Sequence, residues 1–413
     1  MNKKDGILKL LTAVICLFSV IIFALTASGN TPGFVVKCGD GIRTGINAVA
    51  GALHIQKSGE NTKEDGEAEQ EAEDAEETEI TEGPVREKPV NARDLPTAFA
   101  IAENTLFSRC KKDIVCANAT LYAKYSHDAS LEWIESIQMQ EPVLAVKGDY
   151  VLISETGAKK ISLYRGKRLV YTVETEGNIY TADLSENGDV IAVTEKEYFK
   201  GQVVVFNRRG KRIFAWNSGS YSILDAAVSK GRRIGISLLS TDEGAGSIIE
   251  MFDANGKELF KTDIFSDTVF FNTDFNGENL TLLSENRYVC LNKKGGIKWE
   301  YDYGGKRIIK SCRDQKGNRA ILSENEGIGE ITVITARGKV YPPIKTNSMP
   351  DAIDIDSGRV AYNNGRTVYI TGYNGKSVIS AEGAADIRRV YITGQDRAFC
   401  VYSTAVQEKR LKK

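Results

Sequence analysis

Hydrophobic and polar positions alternate in short runs over residues 142–385, and the runs recur with a regular period. A Gly-Lys or Gly-Gly pair separates one run from the next six times. The pairs are Gly166-Lys167, Gly210-Lys211, Gly256-Lys257, Gly295-Gly296, Gly338-Lys339 and Gly375-Lys376. Their spacings are 44, 46, 39, 43 and 37 residues, while a four-stranded propeller blade repeats about every 40 to 50 residues. Helical repeats of this length would show a 3.6-residue period, which is not visible here, so the pattern predicts an all-β propeller.

A second set of glycines runs in step with the first and precedes β-rich runs. Its members are Gly148, Gly188, Gly231, Gly277, Gly317, Gly358 and Gly394. Glycine adopts positive φ without steric cost, so it favours the tight turns of β-hairpins. Each repeat is therefore predicted to contain two hairpins and four strands, which is one blade.

The position four residues after the glycine of the second hairpin is mostly large and apolar. The residues there are Val170, Phe214, Phe260, Trp299, Pro342 and Ile379. Trp133 fits the same pattern, with Ala129 in place of the glycine. These side chains are predicted to pack the outermost strand of a blade against the next blade. Pro342 lacks an N–H and therefore fits only an edge strand.

Seven first hairpins and seven second hairpins predict seven four-stranded blades. In this arrangement the chain enters in mid-blade, and the last blade is closed by strands from both chain ends, which removes open sheet edges. Residues 114–117 and 405–411 are surplus strands in this count. An eighth blade is the alternative if both pair regularly.

The amino-terminal part of the chain predicts a membrane anchor. Residues 10–30 carry no charge, and about 20 apolar residues span a bilayer as a helix. Lys3, Lys4 and Lys9 precede this stretch, which favours a cytoplasmic amino terminus. A cleaved signal peptide is the alternative, although residues 24–27 fit an A-x-A-like cleavage site poorly. The predicted domains are a cytoplasmic tail (1–9), a transmembrane anchor (10–30), a linker and stalk (31–94) and the propeller (95–413).

Charge is unevenly distributed along a chain whose net charge is only −1. Residues 58–94 contain 14 acidic and four basic residues, a net charge of −10. A segment so poor in apolar residues cannot bury a core, so it is predicted to be a disordered stalk. The remaining basic excess is small and scattered, which argues against a nucleic-acid partner.

Candidate chemistry is sparse. Only two histidines, His54 and His127, are present, and the seven cysteines show no metal-ligand spacing. His127 is predicted to lie in a turn. Residues 183–189 place oxygen-bearing side chains at alternate positions, as calcium loops do, but the sequence Asn187-Gly188-Asp189 is also ordinary hairpin chemistry. Cys110 and Cys116 could form a disulfide outside the membrane or remain free thiols.

Two resemblances follow from the repeat itself. The segments ending in Trp299 and Phe260, with Asn292 or Asp253 before the glycines, resemble the tail of quinoprotein-type propeller repeats. The overall layout resembles an uncharacterised family of membrane-anchored propellers from Gram-positive anaerobes. The first resemblance implies the fold of a group that contains both scaffold lipoproteins and dehydrogenases. The second implies a fold and a location but no activity.

The sequence therefore predicts a membrane-anchored, extracytoplasmic propeller that is not an enzyme and binds an envelope protein or a surface glycan. No catalytic, cofactor-binding or metal-binding residue is assigned, and no cofactor is expected. Many quinone dehydrogenases of the group that the repeat resembles carry adjacent cysteines beside the cofactor, and no two cysteines are adjacent in this chain. The partner is expected at loops 195–202, 240–247 and 324–330, because loops carry recognition on rigid scaffolds. The alternative is an extracellular polysaccharide hydrolase or lyase, whose carboxylate pair only a three-dimensional structure could reveal.

Overall fold

Eight antiparallel β-sheets form a ring. The computed structural model describes residues 104–241 and 244–413, and in this part of the chain all regular structure is β-strand. Each sheet is a consecutive stretch of the chain, and we number the sheets blade 1 to blade 8 in chain order. The first strand of each blade contacts first strands of neighbouring blades, so the first strands surround a central channel. The protein is therefore a β-propeller.

The first four blades comprise strands β1 to β17. Blade 1 contains β1 (Leu106–Cys110), β2 (Asp113–Ala117), β3 (Leu121–Tyr125) and β4 (Leu131–Ser136). Blade 2 contains β5 (Pro142–Lys147), β6 (Tyr150–Glu155), β7 (Lys160–Arg165) and β8 (Arg168–Glu174). Blade 3 contains β9 (Ile179–Leu184), β10 (Val190–Thr194), β11 (Gly201–Phe206) and β12 (Arg212–Ser218). Blade 4 contains β13 (Ser222–Val228), β14 (Ile234–Ser240), β15 (Gly246–Phe252), β16 (Glu258–Lys261) and the short β17 (Phe265–Ser266).

The second four blades comprise strands β18 to β32. Blade 5 contains β18 (Asn272–Asn276), β19 (Asn279–Leu283), β20 (Arg287–Leu291) and β21 (Ile297–Asp302). Blade 6 contains β22 (Arg307–Arg313), β23 (Arg319–Asn325), β24 (Ile328–Ile334) and β25 (Ile344–Lys345). Blade 7 contains β26 (Ile353–Asp356), β27 (Arg359–Asn364), β28 (Thr367–Gly372) and β29 (Ile379–Glu382). Blade 8 contains only β30 (Arg389–Ile392), β31 (Arg397–Val401) and β32 (Val406–Arg410).

The prediction of seven blades is wrong, and the alternative of eight is confirmed. Both surplus segments pair regularly: residues 114–117 lie in β2, and residues 405–411 include β32. The chain does not enter in mid-blade, because β1 supplies a complete inner strand to blade 1. No sheet of the described residues combines strands from both chain ends, so the predicted closure is wrong there as well.

The turn between β1 and β2 explains why the sequence pattern predicted seven blades and not eight. In this turn Lys111 takes φ 60°, a conformation that glycine adopts in other turns, such as that at Gly188 with φ 80°. The sequence therefore carries no glycine at this point, and β1 could not be recognised by the repeat pattern. The predicted replacement at Ala129 is confirmed, since Ala129 has φ 66° in the second hairpin of blade 1.

The two edges of each blade carry different connections. We call the turn face the side bearing the connections between first and second strands and between third and fourth strands. The loop face bears the connections between second and third strands and between blades. Neighbouring blades share this orientation: in the turns of blades 3 and 4, Asn187 Nδ2 donates to the carbonyl oxygen of Lys230 at 3.3 Å. The predicted turns with Gly-Lys pairs therefore all lie on the turn face.

Neighbouring blades lock together through turn glycines and aromatic rings. A Cβ atom at Gly338 in blade 6 would lie 2.5 Å from Cγ of Trp299 in the fourth strand of blade 5. At Gly295 in blade 5, a Cβ atom would lie 2.8 Å from the ring of Phe260 in blade 4. Both glycines also have positive φ. The predicted packing of the outermost strand on the next blade is confirmed at these positions.

The hydrophobic core is divided among the blade interfaces. Val203 and Val205 of blade 3, for example, pack in one cluster with Ile236 and Leu238 of blade 4, and all four are buried. Pro342 lies beside the two-residue β25, outside its ladder, as a residue without an N–H requires. Inner strands such as β10 and β11 are buried on both faces because each blade is covered by two neighbours.

Several predictions lie outside the described residues. The cytoplasmic tail (1–9), the anchor (10–30) and the linker and stalk (31–94) belong to this group. Within the described residues, none of the structure is a helix of the length and hydropathy that crossing a bilayer requires.

Candidate functional site

A cavity of about 710 Å³ lies in the central channel. Its walls come from the inner strands and first turns of all eight blades. The walls include serine, apolar and charged residues. The charged residues are Arg109, Lys147, Glu186, Lys230, Asp274, Lys310, Arg313, Asp314, Asp354 and Arg389.

A chain of ion pairs crosses this channel. Lys147 Nζ of blade 2 lies 2.6 Å from Asp183 Oδ2 of blade 3 and 3.0 Å from Asp274 Oδ1 of blade 5. Arg313 of blade 6 forms a further ion pair with Asp274 and donates to the carbonyl oxygen of Phe275 at 2.7 Å. The side chains of Lys147 and Asp274 are only 21% and 14% exposed. Four blades are thus linked through side chains at the centre of the ring.

The charges of this network stabilise one another. Burial by itself would raise the pKa of Asp274, but Arg313 and Lys147 outweigh it and hold that pKa well below its ordinary value. Burial would likewise lower the pKa of Lys147, and the carboxylates of Asp183 and Asp274 raise it instead. Asp274 and Lys147 are therefore both charged at neutral pH, and Asp274 is unsuited to act as a general acid.

A second ion pair joins blades 1, 7 and 8. Arg109 of β1 pairs with Asp354 of β26 and lies 3.8 Å from Asp356. It also donates to the carbonyl oxygen of Ile392 in β30. The N–H of Ile392 in turn donates to Asp354 at 2.7 Å. Arg109 therefore fastens the two ends of the ring to each other without a shared strand.

Asp225 is a buried carboxyl beside the network. It lies in β13, and its Oδ2 accepts hydrogen bonds from the backbone N–H of Thr273 at 2.6 Å and from the Thr273 hydroxyl at 3.0 Å. Burial, together with the nearby Asp183 carboxylate, raises the pKa of Asp225 to about 7. These hydrogen bonds join blades 4 and 5, so the role visible for this carboxyl is structural.

The sequence pattern did not single out these channel residues. Lys147, Asp225 and Asp274 were missed because no motif or spacing marks them. The available signal was weaker: Lys147 and Asp225 are single charged residues in otherwise apolar first strands, as in Ser222-Ile-Leu-Asp225-Ala-Ala-Val228, whereas Asp274 lies in the polar strand Asn272–Asn276. These charges can be recognised as one network only when it is known that the eight first strands line a common channel.

The three predicted partner loops lie on the loop face. Each joins the second and third strands of its blade: residues 195–202 in blade 3, 240–247 in blade 4 and 324–330 in blade 6. The first two are neighbours around the ring, whereas blade 5 separates them from the third. Part of the second loop, residues 242–243, lies outside the described residues.

The loop of blade 3 presents two aromatic side chains. Tyr198 is 93% exposed and Phe199 is 40% exposed. They border a groove of about 530 Å³ that also includes Tyr180 and Gly219. Tyr198 has φ 64°, a conformation that L-residues rarely adopt. A large aromatic side chain held in solvent by a strained turn is a feature of recognition surfaces.

The acidic side chains of the calcium-like segment 183–189 make ordinary structural contacts. In the calcium-like segment, Asp183 contacts Lys147, while Asp189 contacts Arg232 at 2.9 Å and accepts from the N–H of Arg208 at 3.1 Å. Its backbone is a hairpin, with the N–H of Ser185 donating to the carbonyl oxygen of Asp189 at 2.8 Å. In the described residues, no group of three or more histidine, cysteine or acidic side chains is placed to hold a metal ion.

The structure also gives the state of the two candidate cysteines and the position of the candidate histidine. Cys110 and Cys116 are both buried free thiols. They lie at opposite ends of the β1–β2 ladder, where Cys116 faces Phe107 and Cys110 faces Asp113. Burial raises the pKa of Cys116 to about 12, so this thiol is unreactive. His127 lies in the turn of the second hairpin of blade 1, as predicted.

Solved structures share the propeller fold at low sequence identity. BamB from Moraxella catarrhalis is 12% identical, with a TM-score of 0.47 over 73% of this chain and 95% of BamB. A eukaryotic initiation factor is 12% identical, with a TM-score of 0.50 over 76% and 90% of the two chains. AztD from Citrobacter koseri is 8% identical, with a TM-score of 0.49 over 68% and 86%. At these identities the similarity shows the fold alone.

No curated protein matches the chain in sequence. A family of unknown function does match it, and the match covers residues 102–411, which is the whole propeller as described above. The predicted resemblance to an uncharacterised propeller family is thereby confirmed, and the chain belongs to the family of unknown function DUF5711.

Proposed function

We infer that this protein is a membrane-anchored, extracytoplasmic scaffold whose propeller binds another protein through its loop face. The observation that carries this proposal is the exposed aromatic pair Tyr198 and Phe199 at the tip of the blade 3 loop. Aromatic side chains dominate the binding energy of protein interfaces because they bury a large area with little loss of side-chain entropy. An exposed pair of this kind on a rigid ring is suited to anchor a partner.

The loop that carries the pair is fixed at its base. The N–H of Glu195 donates to the carbonyl oxygen of Asn178 at 2.9 Å, and the N–H of Lys200 donates to that of Ser218 at 2.8 Å. Lys196 and Arg212 both contact the carboxylate of Glu176, at 2.5 Å and 2.9 Å. A preorganised loop loses little conformational freedom on binding, which favours affinity.

The proposed location rests on the amino-terminal sequence. The uncharged stretch 10–30, preceded by three lysines, fits a retained anchor with the propeller outside the cell. The acidic segment 58–94 would repel an anionic membrane surface and hold the propeller away from it. At about 3.3 Å per residue, the 37 residues of that segment could reach roughly 120 Å.

The chemistry of the channel supports a non-catalytic function. Two carboxylates of the channel wall, Asp274 and Asp354, each form an ion pair with an arginine. A glycoside hydrolase needs one carboxyl that is protonated at the working pH and another that is free to act as base or nucleophile. Asp274, with its lowered pKa, does not fit the first role.

Site-specific photocrosslinking in intact cells tests the proposal. A photoreactive phenylalanine analogue is placed at Tyr198 of the full-length protein and, in a matched control, at Ile297 on the outer strand of blade 5, which is also exposed. We expect one protein adduct from position 198 and none from position 297. Similar adducts from both positions would contradict the proposal.

The identified partner is then tested in purified form. We expect Tyr198→Ala and Phe199→Ala together to weaken binding at least about tenfold, while Ile297→Ala changes it less than about twofold. Unchanged affinity in the double variant would move the binding surface elsewhere. Release of reducing ends from wall polysaccharide by the purified full-length protein would instead favour the hydrolase alternative.

A further inference from the structure

The turn face carries an excess of positive charge at its outer rim. Third and fourth strands are the outermost strands of a blade, so the turns between them lie at the rim. In blades 2 to 7 these turns comprise residues 166–167, 207–211, 253–257, 292–296, 335–343 and 373–378, which contain ten basic residues and one acidic residue. All ten basic residues are exposed. The six blades are consecutive around the ring, so we call these ten residues the basic arc.

The charge excess is confined to this arc. The first turns of the same six blades, which lie closer to the channel, contain four basic and five acidic residues. Two of those bases, Arg232 and Arg233, form ion pairs at 2.9 Å with Asp189 and Glu278. On the loop face, the described residues between second and third strands of these blades include four basic and four acidic residues. Charge is therefore balanced in the inner turns and in these loops, but not at the rim of the turn face.

The cations of the arc are available to a ligand. Within the described residues, Lys167 is the one member with an ion-pair partner, Glu135 at 2.7 Å. Lys339 lies over the ring of Tyr341, with Nζ 4.5 Å from the ring centre. A cation without a protein partner is neutralised by small counterions, and a polyanion gains affinity by releasing them.

The turns of the arc are held in one repeated geometry. In blade 3, Asn207 Oδ1 accepts from the N–H groups of Arg209 at 2.9 Å and Lys211 at 3.1 Å, and the N–H of Gly210 donates to the Asn207 carbonyl oxygen at 2.8 Å. The equivalent glycine N–H groups in blades 4 to 7 donate at 2.9 to 3.1 Å to the carbonyl oxygens of Asp253, Asn292, Thr335 and Gly372. A fixed backbone lowers the entropy cost of binding.

We propose that the basic arc binds a flexible polyanion that carries a phosphodiester at every repeat. Ammonium and guanidinium groups form charge-assisted hydrogen bonds with phosphate oxygens. A small anion would contact only one or two of the six turns. A flexible polymer can follow the arc from blade to blade, and each contact after the first is intramolecular, which raises the affinity.

The structure favours this ligand over a bilayer or a nucleic acid. A flat anionic bilayer would also meet the inner turns, where Asp149, Glu186 and Asp314 oppose the attraction. Binding of single-stranded nucleic acid commonly uses aromatic rings on which the bases stack. Among the described residues, the exposed aromatic side chains are Tyr198 and Phe199, and both lie on the loop face. The arc thus offers charge without a stacking surface.

The arc and the proposed protein-binding loop lie on opposite faces of the ring. A polyanion on the turn face leaves Tyr198 free, so both surfaces can be occupied at the same time. The propeller would then be an adaptor between a protein and an anionic polymer. The test of the arc does not depend on the protein partner, so either proposal can fail without the other.

Binding of fluorescently labelled inorganic polyphosphate to the full-length protein in neutral detergent micelles tests the proposal. The variant combines Arg208→Gln, Arg209→Gln, Lys293→Gln and Lys294→Gln, which removes four charges from the arc. We expect fluorescence anisotropy to show an affinity at least about tenfold lower. The slope of log affinity against log salt concentration should become shallower by about 3, because each phosphate contact contributes roughly 0.7.

A matched variant removes the same charges from the opposite face. It combines Lys159→Gln, Lys160→Gln, Arg366→Gln and Arg388→Gln, all at exposed positions on the side of the loop face. We expect its affinity to change less than about twofold, because salt screens charges that are distant from the ligand. Equal losses in the two variants would overturn the proposal, since they would show attraction by net charge alone.

Competing polymers with a matched number of charges test the class of ligand. We expect polyglutamate to bind more weakly than polyphosphate and single-stranded DNA to bind no more tightly. Polyglutamate that binds as well as polyphosphate would point to an acidic protein. DNA that binds at least about tenfold more tightly would point to recognition of bases. Either result would overturn the proposal.

Two further measurements test whether another anionic surface occupies the arc. The full-length protein is placed in lipid nanodiscs of phosphatidylcholine and in nanodiscs of an equal mixture with phosphatidylglycerol, and we expect polyphosphate to bind in both. Loss of binding in the anionic discs would assign the arc to the bilayer. Binding that appears only after deletion of residues 58–94 would assign it to the acidic segment of the same chain. Each of these outcomes would overturn the proposal.

Discussion

Lys147 and Asp274 are 127 positions apart in the chain, and their side chains meet with Nζ 3.0 Å from Oδ1. Blade 2 supplies the lysine and blade 5 the aspartate, so the contact joins two blades that are not neighbours. Most contacts in a propeller are between strands of one blade or of adjacent blades. The Lys147–Asp274 ion pair can form only when the ring has closed with the correct number of blades, because it joins blades on different sides of the channel.

Removing the lysine should destabilise the ring. Lys147→Met removes the ammonium that Asp183 and Asp274 share and leaves Arg313 as the ion-pair partner of Asp274, so we expect the free energy of unfolding to fall by about 2 to 4 kcal/mol. Lys167→Met is the control, because the Lys167–Glu135 pair at 2.7 Å involves a lysine side chain that is 60% exposed. Exposed pairs contribute about 0 to 1 kcal/mol. Equal losses in denaturant unfolding would show that the channel network adds no stability.

Asp225 should make stability depend on pH. Its pKa is raised from 3.8 to about 7 in the folded protein, so between about pH 4 and pH 7 the folded state binds a proton that the unfolded state has released. The Asp225 contribution is therefore fully favourable below pH 4, declines as pH rises to about 7 and is constant above it. The full decline is on the order of 4 kcal/mol.

Asp225→Asn tests this dependence, because an amide oxygen can still accept from Thr273 and carries no charge. The difference in unfolding free energy, Asp225→Asn minus the unsubstituted protein, should increase from pH 4 to pH 7 and then level off. Asp263→Asn, at an exposed position, serves as the control. A difference that does not change over this range would show that Asp225 titrates normally.

Two turn glycines separate backbone strain from blade packing. Gly256 and Gly338 have φ values of 84° and 85°, but a Cβ atom meets nothing within 4 Å at Gly256 and lies 2.5 Å from Trp299 at Gly338. Gly256→Ala should cost about 1 kcal/mol from backbone strain alone. Gly338→Ala should cost a further 1 to 3 kcal/mol, roughly the penalty for overpacking. Thermal or denaturant unfolding that gives equal losses would argue against tight packing between blades 5 and 6.

The amino terminus of the mature protein distinguishes an anchor from a signal peptide. If residues 10–30 are a retained anchor, peptides from residues before 10 should be recovered from the membrane fraction, and the intact mass should include them. A mature protein that begins between residues 24 and 40 would favour cleavage instead. A variant lacking residues 10–30 should no longer fractionate with membranes.

Much of the fold could be predicted from the glycine spacing and the β-strand pattern, including two hairpins in each blade and the role of Ala129. The blade number could not, since Lys111 takes the conformation that glycine marks in other turns. The surrounding hairpin holds Lys111 at positive φ, and a lysine in the sequence does not by itself predict such a turn. The repeat was therefore undercounted by one blade.

The candidate site was less predictable than the fold. Spacing and turn residues located the three long loops, because loop length is a property of the sequence alone. Only the tertiary structure placed two of those loops side by side on one face and left Tyr198 exposed. The channel network depends on which charged side chains meet at the centre of the ring, and that is decided by blade count and closure. The sequence by itself thus determined the repeating unit, through local backbone preferences, while the ring geometry decided every contact between distant blades.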